Sequence, residues 1–211
     1  MKKEGSNLRK ERAVETKTKL YDTADRLFTK HGIDMVSVDA IVEAAGVSKG
    51  AFYVHFESKD ALIAAQISDY VEKVDTDYKA FVDAFSPDTL TADILLSLVV
   101  RISDIIIGKI GYERMRALYK VQLTGAGYAQ AAASYNRTLY QLFGNVLEQG
   151  ILRGELKASL PVDETARHFI LALRGLTYEW CIRYPDFDLK EQARTHFELL
   201  MAGIANTDHA S

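Results

Sequence analysis

The sequence predicts an all-α protein of about nine helices. Apolar residues recur three and four positions apart over most of the chain, which is the spacing of one face of a helix. Alternating β-branched runs bounded by Asn-Gly or Asp-Gly turns, which are typical of strands, are absent from the sequence. The three prolines, at positions 87, 161 and 185, fall where a helix would begin or the chain would break.

Four helices are predicted in the first 85 residues, at about residues 10–31, 38–45, 49–56 and 59–85. Gly32 ends the first helix, and Gly46 allows a left-handed turn between the second and the third. Ser37, Ser48 and Ser58 stand where the second, third and fourth helices need an N-cap.

Five further helices are predicted, beginning near Pro87 and then covering about residues 112–121, 128–152, 161–184 and 189–205. Ser86 and Pro87 form an N-cap and first helical position for the first of them, whose wide apolar face indicates burial on more than one side. Asp188 and Glu191 form a capping box for the last helix.

Composition and charge narrow the class of protein. The chain has 211 residues, 48% of them hydrophobic and 26% charged, which is typical of a soluble globular protein with a sizeable core. Its net charge of −3 excludes a general polycation, so any nucleic-acid contact must rest on a local basic surface. The basic first nineteen residues are either a solvated tail or an arm that touches phosphates.

A single cysteine, Cys181, makes an internal disulfide impossible and fits a reducing compartment. No apolar run approaches the ~20 residues that span a bilayer, so we expect a cytoplasmic protein without a membrane partner. Cys181 lies beside Trp180 on an apolar helix, which favours a packing role over a redox switch. The histidines 31, 168 and 196 are interpreted as structural, and neither a metal site nor a cofactor is expected.

The segment from Asp34 to Leu62 carries the strongest functional signal. Two short helices joined by a turn at a glycine form the plan of a helix-turn-helix, although many helical proteins contain such a corner. The second of these helices is too short to be stable alone, and Phe52 and Phe56, four residues apart, would lock it to its neighbours. Its other face presents small, basic and hydroxyl-bearing side chains that could approach nucleic acid.

These residues resemble the signature of the TetR/AcrR family of transcriptional regulators. The resemblance rests on GVSKGAFYVHF at residues 46–56 and SKDAL at residues 58–62. The first two helices match the family at Ala24, Leu27, Phe28, Gly32, Ser37, Val38 and Ile41. The match covers about residues 16–65, while the remainder resembles the family in its length and helical character, in GILRGEL at 150–156, and in Gly175 and Trp180.

The resemblance implies a DNA-contacting set made of Ser37, Val38, Ser48, Lys49, Gly50, Ala51, Tyr53, Val54, His55 and Lys59. Ser37 and Val38 would lie near the DNA backbone, and residues 48–51 would begin the recognition helix. Lys49 is expected to read guanine and Ala51 to contact a thymine methyl group. Tyr53, His55 and Lys59 are expected to hold phosphates. Val54 departs from family members that have an aromatic or polar residue there.

The resemblance also implies a DNA-binding domain at residues 1–65 and a helical regulatory domain at residues 66–211. In the family the second domain binds a small molecule and forms a homodimer, and ligand binding usually releases a repressor from its double-stranded DNA operator. Two alternatives remain: a DNA-binding protein without a small-molecule effector, and a small helical enzyme or ligand carrier. The sequence offers no nucleophile–base–acid set for catalysis.

Polar side chains scattered over apolar helices predict an effector pocket in the second domain. The candidates share helix faces at spacings of three, four or seven residues, and they are Tyr112, Arg116, Tyr119, Gln122, Tyr128, Tyr135, Arg174 and Tyr178. An arginine facing the cavity would favour an anionic or strongly hydrogen-bonding ligand. The alternative is that the tyrosines fill the core and the arginines lie at a solvated edge.

The last two helices are apolar over more than one stripe, which predicts a dimer interface. The candidate interface residues are Phe169, Ala172, Gly175, Leu176, Phe197, Leu200 and Ile204. Ala172 and Gly175 are small enough for helices to approach closely. The alternative is that both apolar faces are internal to one protomer.

Overall fold

A computed structural model describes residues 2–124 and 137–206, and in these ranges the regular structure is helical. The described residues form nine α-helices: α1 Lys2–His31, α2 Val38–Ala45, α3 Lys49–His55, α4 Lys59–Asp83, α5 Thr91–Ile105, α6 Tyr112–Thr124, α7 Arg137–Leu152, α8 Val162–Arg183 and α9 Leu189–Ile204. A π-helical segment, Ile106–Ile110, lies between α5 and α6. The predicted all-α fold class is confirmed.

The chain divides into two compact units, residues 1–66 and residues 67–211. In the first unit α1 packs on both α2 and α3, around the apolar positions that the helical spacing indicated. Leu20, Ala24, Ile41 and Phe52 are fully buried there. Full burial of a large apolar side chain contributes about 1.5–3 kcal/mol to stability, so this small unit depends on few residues.

In the second unit α5 packs on α9 and α7, and α8 packs on α7 and α9. Phe143, Phe169 and Phe197 form its aromatic centre, with the rings of Phe169 and Phe197 at 5.0 Å. Phe169 and Phe197 are 1% and 0% exposed within one protomer, so their prediction as dimer-interface residues is wrong. Helical spacing indicates that a helix has an apolar face, but not whether a partner subunit or its own domain covers that face.

Two helix starts differ from the prediction. The first helix begins at Lys2 instead of near residue 10, and the fifth begins at Thr91 instead of near Pro87. Ser86 instead heads a turn, in which its carbonyl accepts from the Thr89 N–H at 2.9 Å. The π-helical segment was not predicted, because no local pattern in the sequence marks it. Of the predicted helix at 128–152, residues 128–136 lie outside the described residues.

The loop between α7 and α8 explains why α5 begins where it does. Leu90, at the N-cap position of α5, makes no side-chain capping bond, and the Glu155 carboxylate accepts from the Thr91 N–H at 2.6 Å instead. Arg153 pairs with Glu155 at 3.0 Å and donates to the carbonyls of Pro87 and Thr89. We call Arg153 and Glu155 with these partners the α7–α8 clasp. It satisfies backbone groups at a helix start that lacks a local cap.

The fragment GILRGEL at residues 150–156 contains this clasp. A Cβ on Gly150 would lie 2.6 Å from Thr91 Oγ1 and 2.9 Å from Leu156 Cδ1, so only glycine fits this contact without rearrangement. Gly154 adopts φ +76°, which glycine adopts without strain. Asn206 donates from its amide group to the Gly154 carbonyl at 3.0 Å, which joins the end of α9 to the same loop.

Candidate nucleic-acid interface and ligand cavity

Local hydrogen bonds build the helix-turn-helix. The Ser37 side chain accepts from the Ala40 N–H at 3.1 Å and the Ser48 side chain accepts from the Ala51 N–H at 3.1 Å, so both predicted N-caps are confirmed. Gly46 adopts φ +65° at the end of α2, the left-handed turn that the sequence predicted. These caps fix the start of α2, the turn and the start of α3 through neighbouring residues alone.

The inner face of α3 is aromatic. Phe52 and Phe56 are 0% and 2% exposed, with their ring centroids 5.6 Å apart, and the Phe56 ring stacks on Tyr21 of α1 at 5.4 Å. A helix of seven residues is not stable alone, because nucleation costs more than so few hydrogen bonds return. Phe52 and Phe56 therefore hold α3 in place.

The outer face of α3 presents the predicted DNA-contacting residues to solvent. Val54 is 81% exposed and Tyr53 is 50% exposed, while Lys49 and Gly50 are also exposed. A Cβ at Gly50 would meet only Ser48 Oγ, at 3.8 Å, so the backbone is uncovered on this side. Of the remaining candidates, Ser37 and Ser48 are exposed and Val38, Ala51, His55 and Lys59 are partly exposed. The surface therefore combines small residues with side chains of the kinds that donate hydrogen bonds to DNA phosphates.

Lys49 has a partner that the sequence pattern did not indicate. Its ammonium lies 2.7 Å from Asp39 Oδ1, which joins the first residue of α3 to the second residue of α2. The hydrogen bond to Asp39 and the attraction of its charge raise the pKa of Lys49. No pattern in the sequence links positions ten residues apart on two different helices, so only the folded chain shows this pair.

Lys59, at the start of α4, donates from Nζ to the carbonyl of Ile33 at 2.7 Å and to the carbonyl of Val36 at 2.9 Å. Both carbonyls belong to the loop between α1 and α2. An ammonium group has three donors, so one donor is left over from these two bonds. The phosphate contact of Lys59 stays a prediction, and the residue also holds the loop that leads into α2.

A small cavity of about 30 Å³ lies in the second unit. Three of the predicted ligand residues line it, namely Tyr119, Gln122 and Arg174, and the Tyr119 hydroxyl donates to the Arg174 carbonyl at 3.0 Å. The other lining residues are Thr177 and the apolar side chains Ile102, Ile106, Met115, Leu118, Leu139, Ile170 and Leu173. A cavity of this size holds about one water, so a larger molecule has to displace side chains.

Three of the other predicted ligand residues do not line this cavity. Tyr112 instead stacks on Tyr184 at 4.2 Å, and Arg116 is exposed and lies 3.9 Å from Glu113. Tyr178 is also exposed, with its ring at 5.4 Å from the ring of Tyr119. Residues sharing one helix face can still diverge, because a helix touches several neighbours along its length. Tyr128 and Tyr135 lie outside the described residues.

Large apolar side chains are exposed on α8 and α9. They are Leu171, Tyr178 and Ile182 on α8 and Leu199 on α9. Of the predicted interface residues, Gly175 is exposed, with no atom within 4 Å of where its Cβ would lie. Ala172, Leu176, Leu200 and Ile204 are partly exposed. These five residues stay candidates for the dimer interface.

Burial raises the pKa of the Cys181 thiol to about 11. Because the thiolate is the reactive form, this thiol is a poor nucleophile near neutral pH. Over residues 2–124 and 137–206, no helix has the length and apolar character needed to cross a membrane. The same described residues contain no group of three or more His, Cys, Asp or Glu side chains that could hold a metal ion.

Comparisons with known proteins agree with this geometry. Residues 20–65 match the family model described as "Bacterial regulatory proteins, tetR family". The HTH-type transcriptional regulator AcrR of Shigella flexneri is 28% identical over 204 residues, which cover 91% of this chain and 90% of that protein. The HTH-type transcriptional repressor KstR2 of Rhodococcus jostii is 21% identical over 190 residues, covering 90% and 91%.

Among solved structures, the fold is similar to that of Thermus thermophilus FadR, described as a transcriptional repressor in complex with lauroyl-CoA. The TM-score is 0.71 at 16% identity, and the alignment covers 92% of this chain and 98% of that one. At this identity the similarity concerns the fold.

Proposed function

Since this chain is a DNA-binding transcriptional regulator of the TetR/AcrR family, we propose that it is a homodimeric repressor that a small-molecule effector releases from a palindromic operator. The observation that carries the proposal is the construction of α3. Its inner face is fixed by Phe52 and Phe56, and its outer face leaves Lys49, Tyr53 and Val54 open to a DNA groove. We also propose that the chain has no catalytic role, as its relatives are named as regulators.

The proposed dimer places two copies of α3 about 34–36 Å apart, one helical turn of DNA, so the operator has two symmetric half-sites. The exposed apolar side chains of α8 and α9 support this assembly, because the second unit otherwise leaves Leu171, Ile182 and Leu199 in water. A partner copy that covers them brings the same surface of each protomer together.

The proposed effector has an apolar body and a hydrogen-bonding or anionic group. Apolar side chains form most of the cavity wall, and Arg174 and Gln122 supply polar groups at the same site. Lauroyl-CoA, with which the Thermus thermophilus repressor forms its complex, has this kind of chemistry and is a reasonable first probe. A 100-fold loss of operator affinity needs about 2.7 kcal/mol of coupling between the two sites.

The operator is tested by selecting bound sequences from random duplex DNA with the purified full-length protein. Removing the hydroxyl in Tyr53→Phe is expected to weaken binding to all sequences alike, by about tenfold, because a bond to phosphate is lost. Lys49→Ala is expected to change the preferred base at one position of each half-site by about tenfold or more. Affinities are measured by fluorescence anisotropy at fixed salt.

Tyr184→Phe is the matched control for the hydroxyl, since Tyr184 is exposed in the second unit. Its affinity is expected to equal that of the wild type. If the wild-type protein enriches no sequence from the random DNA, the proposed function is wrong. Unchanged affinity in Tyr53→Phe, together with an unchanged base preference in Lys49→Ala, would show that α3 does not dock as proposed.

The effector site is tested with lauroyl-CoA and a panel of smaller amphipathic carboxylates, first by thermal shift and then by operator titration. A ligand at 100 times its Kd is expected to stabilise the protein by about 2.7 kcal/mol. Arg174→Ala is expected to lose this shift for anionic ligands, while Arg116→Ala keeps it because Arg116 lies outside the cavity. If both variants lose the thermal shift equally, or if a bound ligand leaves operator affinity unchanged, the cavity is not the effector site.

A further inference from the structure

The helix-turn-helix carries little positive charge between the start of α2 and the end of α3. Between Val38 and His55 the sequence contains one lysine, Lys49, no arginine, and two acids, Asp39 and Glu43. The single lysine is also the residue expected to read a base. Cations that neutralise phosphates supply the affinity for DNA of any sequence. Specificity therefore depends on whether the ammonium group of Lys49 contacts a phosphate or a base.

The ammonium of Lys49 is held by Asp39 at 2.7 Å, and both side chains are exposed. An exposed ion pair is weak, so the DNA-free protein does not need it for stability. Lys49 has three N–H donors, and the carboxylate engages one, which leaves two for acceptors on the DNA. Guanine offers two acceptors, O6 and N7, side by side in the major groove.

The Asp39 carboxylate affects a contact between Lys49 and a phosphate differently from a contact between Lys49 and a base. A carboxylate beside the ammonium repels a phosphate group, so the paired lysine gains less from the DNA backbone than a free lysine would. At a base edge the same carboxylate meets no formal negative charge. We propose, on the basis of the proposed DNA-binding function, that Asp39 is a specificity-determining residue that positions Lys49 for a base edge and weakens its contact with phosphates.

The test uses full-length protein on its selected operator and on a random duplex of equal length, with binding measured between 50 and 200 mM salt. In Asp39→Asn the lysine is free to contact phosphate, so affinity for the random duplex is expected to rise. The ratio of operator to random affinity is expected to fall about tenfold. One additional phosphate contact per protomer makes the salt slope on random DNA steeper by about 0.9 each.

Glu43→Gln is the matched control, since Glu43 is exposed on the same helix and loses the same charge. It is expected to raise affinity for both duplexes alike and to keep the ratio. A ratio and a salt slope in Asp39→Asn that equal those of Glu43→Gln overturn the role of Asp39, while operator selection by the wild type still stands. A wild-type protein that selects no operator removes the proposed function and this inference together.

A second experiment tests Asp39→Asn in a protein that already carries Lys49→Gln. With the lysine gone, adding Asp39→Asn is expected to leave the ratio unchanged, because Asp39 acts through Lys49. If the added substitution still lowers the ratio or changes the preferred base, then Asp39 contacts DNA itself, for example by accepting from cytosine N4. That result would overturn the positioning role.

Discussion

Phe52→Ala is expected to abolish operator binding while residues 67–211 remain folded. Phe52 is fully buried under α3, and replacing such a side chain by alanine costs about 3–5 kcal/mol. The first unit has only 66 residues, and a domain of that size has a total stability of about 5 kcal/mol. The loss of operator binding is measured by fluorescence anisotropy. The loss of folded structure in the first unit is measured by hydrogen exchange in peptides from each unit.

Val54→Ala is the companion variant for stability, because Val54 lies on the same helix and is 81% exposed. Exchange protection of residues 1–66 is expected to be the same as in the wild type. Wild-type protection in Phe52→Ala, or operator affinity within twofold of the wild type, would show that Phe52 does not fix the position of α3.

Phe197→Ala is expected to lower the stability of the second unit by about 3–5 kcal/mol at every protein concentration. The ring is fully buried and lies 5.0 Å from Phe169 and 6.3 Å from Phe143. Its removal leaves a cavity inside one protomer. Denaturant unfolding, followed in the second unit at several protein concentrations, measures the effect.

Leu199→Glu is the contrasting variant two residues away, where the side chain is 69% exposed. A charge there is expected to dissociate the proposed dimer, as measured by sedimentation, and to leave the unfolding of the dilute protein unchanged. A Leu199→Glu protein that sediments as the wild-type protein does would place the proposed dimer interface elsewhere. If the second unit of Phe197→Ala unfolds at the same denaturant concentration as that of the wild type, Phe197 does not belong to the core.

The parts of the fold that follow from short-range patterns were predictable. Helical spacing marked the helices, and the caps Ser37 and Ser48 with the turn at Gly46 depend on residues within four positions. For the same reason the outer face of α3 was predictable once Phe52 and Phe56 were assigned to its inner face. The backbone of the helix-turn-helix and the outer face of α3 are therefore determined almost entirely by residues that are close in sequence.

The remaining features depend on residues that are distant in sequence. The start of α5 depends on Glu155, 64 residues away, and the position of Lys49 depends on a carboxylate on another helix. Periodicity also could not decide which of two apolar faces is internal, so Phe169 and Phe197 were assigned to the wrong side. Arg116 and Tyr119 were predicted to share a pocket, but only Tyr119 lines the cavity.

The α7–α8 clasp has a consequence for the order in which the chain can fold during synthesis. Glu155 leaves the ribosome 64 residues after Thr91, which at about 5–20 residues per second takes about 3 to 13 seconds. During most of that interval α5 lacks both its cap and α7, and α9 emerges later still, so the apolar face of α5 is not yet covered by its neighbours. The core of the second unit can therefore be completed only after its last helix has emerged.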